Sequence, residues 1–125
     1  MSLPSQVDVV IVGGGVMGTS AAFHLAEAGV SVLLCERSEL ASGSTSKAAG
    51  GVRANFSDEF NVALGARSLD LFAEFKSRPG YEIDLHRSGY LFALTKQEDV
   101  ELFERSTKIH NQFNVESRML TPSEA

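Results

Sequence analysis

Apolar positions follow two rhythms along this chain. Val9–Val12 is an unbroken apolar run, and a second run, Val30–Cys35, is broken only by Ser31; both have the length of buried strands. They predict strands over Asp8–Val12 and Ser31–Cys35. Between them Met17, Ala21, Leu25 and Ala28 recur at helical spacing, so Val16–Ala28 reads as a helix with that stripe on the sheet, closed by Gly29. Residues 1–6 are polar and are expected to be loose. Farther on, Phe60, Ala63, Leu64, Leu71, Phe72 and Phe75 mark an amphipathic helix, capped by Ser57 or Asp58 and ended by Pro79-Gly80.

Alternation then takes over. Glu82–His86 and Tyr90–Leu94 read as strands about a turn at Ser88-Gly89. Thr95-Lys96-Gln97-Glu98 has the form of a capping box opening a helix, with Val100, Phe103 and Ile109 inward and Glu98, Asp99, Glu101, Glu104, Arg105 and Lys108 on the solvated face. Val115–Leu120 predicts one more strand. Thr121-Pro122-Ser123-Glu124 then has the signature of a helix start: Thr as N-cap, Pro at the first position, Glu at the third.

The join between the first strand and helix carries the clearest chemistry. Gly13, Gly15 and Gly18 form G-x-G-x-x-G in a β-α-β setting. Gly13 permits the tight turn, Gly15 lets a pyrophosphate approach the backbone, and Gly18 lets the helix pack on the strands. The helix N-terminus offers N–H groups and partial positive charge to phosphate. Glu36, at the end of the second strand, is placed to accept hydrogen bonds from ribose hydroxyls. Arg37–Phe56 has no periodicity, but its core, Ala41–Arg53, reads A-S-G-S-T-S-K-A-A-G-G-V-R. Such a run is either a flexible connector or a loop whose backbone and hydroxyls lie against a ligand; its place after the fingerprint favours the second.

Totals narrow the classes. The net charge is −5 with acids and bases mixed, and no basic block speaks for nucleic acid. No apolar run approaches the ~18 residues of a membrane span. The first basic residue is Arg37, so the apolar start lacks the charged head of a signal peptide. Asn55-Phe56-Ser57 therefore carries no weight as a glycosylation acceptor. Cys35 is the single cysteine and is expected to pack in the buried second strand. His24, His86 and His110 are far apart and make no metal pattern. These features suggest a cytoplasmic protein without a metal. At 125 residues the chain has fewer strands than a doubly wound dinucleotide domain needs, and it stops where a helix is announced. The expectation is a truncated, N-terminal piece of a longer protein; Met1-Ser2-Leu3 is open to reading as a cloning remnant.

Together the fingerprint, Glu36-Arg37 and the Ala41–Arg53 loop resemble the D-amino-acid-oxidase superfamily of FAD-dependent oxidoreductases, nearest its sarcosine oxidase and dimethylglycine dehydrogenase branch. Ser88–Leu94, the helix after it and the R-M-L-T-P-S-E-A stretch are also similar to that family. The resemblance implies an α/β fold: a Rossmann-type FAD-binding β-α-β over residues 1–80, then the start of an α+β substrate domain over 81–125. It implies Gly13, Gly15, Val16, Met17 and Gly18 at the pyrophosphate, Glu36 on the adenosine ribose and Arg37 beside the adenine. Ser44 and Thr45 would reach phosphate or ribitol oxygens, and Lys47, Ala48, Ala49, Gly50 and Gly51 would line the isoalloxazine. The family moves hydride from a C–N bond beside a carboxylate to the flavin. Arg53 falls where that branch has an arginine facing the substrate carboxylate; otherwise it is a surface arginine, or pairs with Asp58 or Glu59. Where dimethylglycine dehydrogenases carry T-W-H-A-A-G, with flavin joined to the histidine, this chain has Thr45-Ser46-Lys47-Ala48-Ala49-Gly50, so the implied FAD is non-covalent here.

The implied substrate is a small amine or amino acid, and a homo- or hetero-oligomer is compatible with the sequence. Three other readings stay open. One is a flavin dehydrogenase of a 2-hydroxy acid or glycerol phosphate. Another is an NAD-dependent enzyme, and the last is a nucleotide-binding or subunit-contact module without catalysis.

Overall fold

A computed structural model describes residues 4–125, so Met1-Ser2-Leu3, and with them part of the expected loose start, lie outside the described residues. The chain forms two compact units, dividing after Gly51.

The first unit is a β-α-β. Strand β1 (Val9–Val12) pairs in parallel with β2 (Val32–Cys35), in the register Val9↔Val32 through Val12↔Cys35. Asp8 and Ser31 seal the entry: the Asp8 N–H donates to the Ser31 carbonyl at 3.0 Å, and the Ser31 N–H to the Asp8 carboxylate at 2.9 Å. A parallel pair needs a crossover, here helix α1 (Val16–Glu27). Gly29, at φ 81°, closes that helix: its N–H donates to Ala26 and that of Val30 to Leu25, the Schellman pattern.

The inward stripe of α1 differs from the one the spacing predicted. Gly18, Ala22 and Leu25 are half-buried, whereas Met17, Ala21 and Ala28 are exposed, Met17 at 82%. A methyl at Gly18 would run into the Gly13 carbonyl and would sit 3.4 Å from the Ile11 side chain. Closest approach therefore falls on Gly18, which turns the helix by about one residue, or 100°, from the expected phase. The second correction concerns Cys35, which is exposed. It pairs with Val12, itself 86% exposed, on the sheet face that α1 does not cover.

The second unit packs helix α2 (Glu59–Ala73) on helix α3 (Gln97–Gln112). Asp58 is the N-cap of α2, its carboxylate accepting the Asn61 N–H at 3.0 Å and the Asn61 side-chain amide at 2.9 Å. Val62 and Gly65 are buried, with Ala66, Leu69 and Phe72 half-buried beside them. Of the predicted stripe, Ala63, Leu71, Phe72 and Phe75 are half-buried, while Phe60 and Leu64 face outward at 76% and 56% exposure. Gly65 decides this phase: a Cβ there would lie 2.9 Å from Ala54 Cα and 3.0 Å from the Arg53 carbonyl, so only its bare face fits against that segment. The helix ends at Ala73, and turns carry the chain on to Gly80.

Helix α3 keeps the expected inward residues Val100, Phe103 and Ile109 and adds buried Ser106 and His110. Its N-cap is Lys96, not Thr95, and no side chain caps it, so the predicted box does not form there. Of its predicted solvated face, Asp99 alone is half-buried. Asn114, at φ 59°, ends α3 as Gly29 ends α1, with the Val115 N–H donating to the His110 carbonyl. Segments 81–95 and 115–120 are irregular, not strands. A strand exists by its ladder, and among the described residues no partner pairs with either segment. The Tyr90 and Phe92 rings still stack at 6.1 Å, on the same side as alternation requires. At the end of the chain the Thr121 N–H donates to the Glu124 carboxylate at 2.8 Å, the reciprocal contact of a capping box.

Candidate functional site

In the first unit three distant stretches meet at the mouth of α1. Gly13 leaves β1 at φ 108°, a conformation side chains resist, and space for a Cβ there is open. Gly14 is buried and donates its N–H to Glu36 Oε2 at 2.6 Å, while Ser38 N–H donates to Oε1 at 2.9 Å. These bonds, Gly14 first and Ser38 second, hold the Glu36 carboxyl below its ordinary value, so it is ionised at neutral pH. An ionised carboxylate has about four acceptor positions, and two N–H bonds leave room for hydroxyl donors. Gly15 is the N-cap of α1 and supplies no side-chain cap.

The loop closes over this turn. The Ala41 N–H donates to the Gly14 carbonyl at 2.9 Å, and Thr45 Oγ1 accepts the Val16 N–H at 3.0 Å. Thr45 opens a short 3₁₀ turn, Thr45–Lys47, with Ser44 as its N-cap. A Cβ on Gly15 would stand 3.1 Å from that threonine oxygen, so glycine keeps the approach clear. Gly13, Gly15, Val16, Glu36 and Thr45 thus come together, with Gly18 one turn inside. Met17 and Arg37 are exposed nearby in the chain, and Lys47, Ala48, Ala49, Gly50 and Gly51 form an exposed run. Gly14 and Ala41 were not singled out from sequence; the middle glycine and the buried turn it makes were the available signal. First-turn N–H groups, a clamped carboxylate and a hydroxyl suit a diphosphate joined to a hydroxyl-bearing sugar, and a dinucleotide fits this donor set.

The second unit holds a cavity of about 240 Å³ whose walls include Arg53, Phe56, Phe92, Leu102 and Phe103. The Arg53 guanidinium stands 5.5 Å from the centre of the Phe56 ring. Both carboxylate oxygens of Asp58 are engaged by Asn61 instead. Phe92 and Phe103 meet at 5.1 Å to form an aromatic wall. His110 is buried, with Nε2 2.7 Å from the Phe56 carbonyl and Nδ1 2.9 Å from the Ser117 hydroxyl. Sequence reasoning noted His110 only as one of three scattered histidines. No helix among the described residues is long and apolar enough to cross a membrane.

Residues 8–125 match the family model described as FAD dependent oxidoreductase. Over 124 residues the chain is 31% identical to human mitochondrial sarcosine dehydrogenase, covering 98% of this chain and 14% of that protein. It is 29% identical over 123 residues to the mouse mitochondrial pyruvate dehydrogenase phosphatase regulatory subunit, again covering 98% and 14%. The crystal structure of L-proline dehydrogenase from P. horikoshii superposes with a TM-score of 0.87 at 36% identity, covering 98% of this chain and 32% of that one. The chain therefore spans about a seventh of these curated relatives' length.

Proposed function

The chain belongs to the FAD dependent oxidoreductase family, and from that premise we propose that it forms the N-terminal FAD-binding part of an enzyme oxidising the C–N bond of an amino acid or a secondary or tertiary amine. The observation that carries this reading is the joint approach of Gly13–Val16, Glu36 and Thr45 at the mouth of α1. In it the N–H groups of Gly15, Met17 and Gly18 hold the diphosphate, those of Gly13, Gly14 and Val16 being bonded within the chain, and Glu36 takes ribose hydroxyls. Ser44 and Thr45 reach phosphate or ribitol oxygens, and Lys47–Gly51 line the ring system. When bound, flavin supplies the hydride acceptor. Arg53 holds the substrate carboxylate, since its fork matches a carboxylate bidentately. The apolar wall of Phe92, Leu102 and Phe103 favours the hydrocarbon part of such a substrate. The assignment of 1–80 to cofactor binding and 81–125 to the start of a substrate domain belongs to the same proposal.

Two relatives support amine chemistry by name: sarcosine and L-proline are both secondary amino acids. The regulatory-subunit relative favours a second reading, a flavin- or nucleotide-binding module without catalysis. The test uses the intact, purified protein. It should show a flavin spectrum, and acid precipitation should leave the flavin in solution, because Lys47 replaces the histidine that would bind it covalently. A screen of amino acids, amines and 2-hydroxy acids should find bleaching by the first two. Arg53→Ala should weaken binding of a carboxylate-bearing substrate by about 2–5 kcal/mol with flavin retained. Bleaching by 2-hydroxy acids alone, or by nothing, would turn the conclusion to the other readings.

A further inference from the structure

His110 ties the segment around Phe56, 54 residues away in sequence, to the stretch just after its own helix. It lies on α3, is 6% exposed, and reaches the Phe56 carbonyl with Nε2 and the Ser117 hydroxyl with Nδ1. A carbonyl can only accept, so Nε2 carries the hydrogen of that 2.7 Å bond. Asn111, the next residue, fastens the same Ser117 by its backbone: its amide donates to the Ser117 carbonyl at 3.0 Å and accepts the Ser117 N–H at 3.1 Å. Ser117 is thereby fixed, and it in turn fixes the ring of His110.

The segment that His110 holds is the one bearing Arg53. Ala54 is 1% exposed and sits against the bare face of Gly65. The Phe56 N–H donates back to the Ala54 carbonyl at 3.0 Å, and the Phe56 carbonyl is held by His110. With its backbone fastened at both ends, the Phe56 ring is a fixed platform, and the Arg53 guanidinium lies over it. Arg53 itself is exposed, and among the described residues no ion pair holds it. The platform is therefore what orients it. Packing alone does not call for imidazole here, because Val100, Phe103 and Ile109 already serve the inward face of α3. A polar ring at a buried position is costly unless bonded, and this one directs its bond at a single loop carbonyl.

We propose that His110 is a positioning residue for the substrate carboxylate, acting through Phe56 on Arg53. This rests on the reading of Arg53 as the carboxylate's partner, and the experiment separates the two. In the intact flavin-loaded protein, calorimetry measures the affinity of L-proline and N-methylglycine, and of their carboxylate-free counterparts pyrrolidine and dimethylamine. His110→Phe should weaken the carboxylate-bearing ligands roughly tenfold, the scale of one misaligned contact, and leave the amines unchanged; Phe56→Leu, whose ring also lines the cavity, should weaken the carboxylates roughly tenfold more than the amines. His110→Gln, which keeps an N–H donor, should recover most of the loss. Added to Arg53→Ala, neither should cost the carboxylates more than the amines. If Arg53→Ala weakens the carboxylates but His110→Phe and Phe56→Leu do not, the positioning role is overturned and Arg53 stands. If Arg53→Ala is neutral, the Arg53 reading falls and the positioning role falls with it. Equal losses for amines and carboxylates would make His110 a general structural residue. Should His110→Phe not fold, Phe56→Leu decides by whether the carboxylates lose more than the amines, since it keeps the carbonyl bond.

Discussion

Glu36 has a second use beside the one its place at a strand end predicted. Its carboxylate ties the buried Gly14 N–H to the Ser38 N–H, so it shapes the glycine turn after β1. Both bonds favour the charged form and lower its pKa from 4.5. Folded below unfolded means that the stabilisation is fully present above pH 4.5 and is lost as pH falls through the depressed value. Glu36→Gln should therefore lower the melting temperature at pH 6 and have a smaller effect at pH 3. Thermal melts at the two values check the sign, and an equal loss at both would refute the charged clamp. The same variant should weaken FAD binding roughly ten- to a hundredfold, as for loss of charged hydrogen bonds. Unchanged affinity in a titration of the intact apoprotein would remove Glu36 from the ribose.

At the level of elements, two glycines set how helices meet their neighbours. In an exposed helix interior, Gly→Ala gains about 1 kcal/mol from propensity alone. At Gly18 the added methyl would strike the backbone carbonyl of Gly13, which no rotamer change relieves. Overpacking of that kind costs about 1–3 kcal/mol, so the net effect should be a loss. Met17→Ala, at an exposed position on the same helix, should stay within about 0.5 kcal/mol of wild type. Denaturant unfolding of the pair gives the comparison. A Gly18→Ala variant more stable than wild type would mean that α1 does not approach β1 as described.

Across the whole molecule, the apolar surface left open is large for so short a chain. Val10 and Val12 are 55% and 86% exposed on the uncovered sheet face, and Tyr81, Tyr90 and Leu91 are exposed in the second unit. A two-stranded sheet is at best marginally stable without further packing. The 125-residue chain by itself should therefore bind FAD only weakly and should bind apolar dyes. Sub-micromolar FAD binding by this chain in calorimetry, without dye binding, would show that it needs no further cover.

Local chemistry was legible along the sequence because it acts over a few residues. The β-α-β order, the left-handed turn at Gly13, the Gly29 stop, the Asp58 cap and the Thr121–Glu124 contact all depend on neighbours in the chain. The phase of α1 and the start of α2 were not legible, because each was decided by how a helix glycine packs on backbone, Gly18 on the Gly13 carbonyl and Gly65 on Ala54, a close approach that apolar spacing does not record. The alternation in 81–95 and 115–120 announced strands, but a ladder needs a partner that alternation does not supply. The bond from Glu36 to Gly14 and the hold of His110 on Phe56 span 22 and 54 residues. Only the tertiary structure could decide them, since the pattern of one segment carries no record of which distant carbonyl or N–H it will meet.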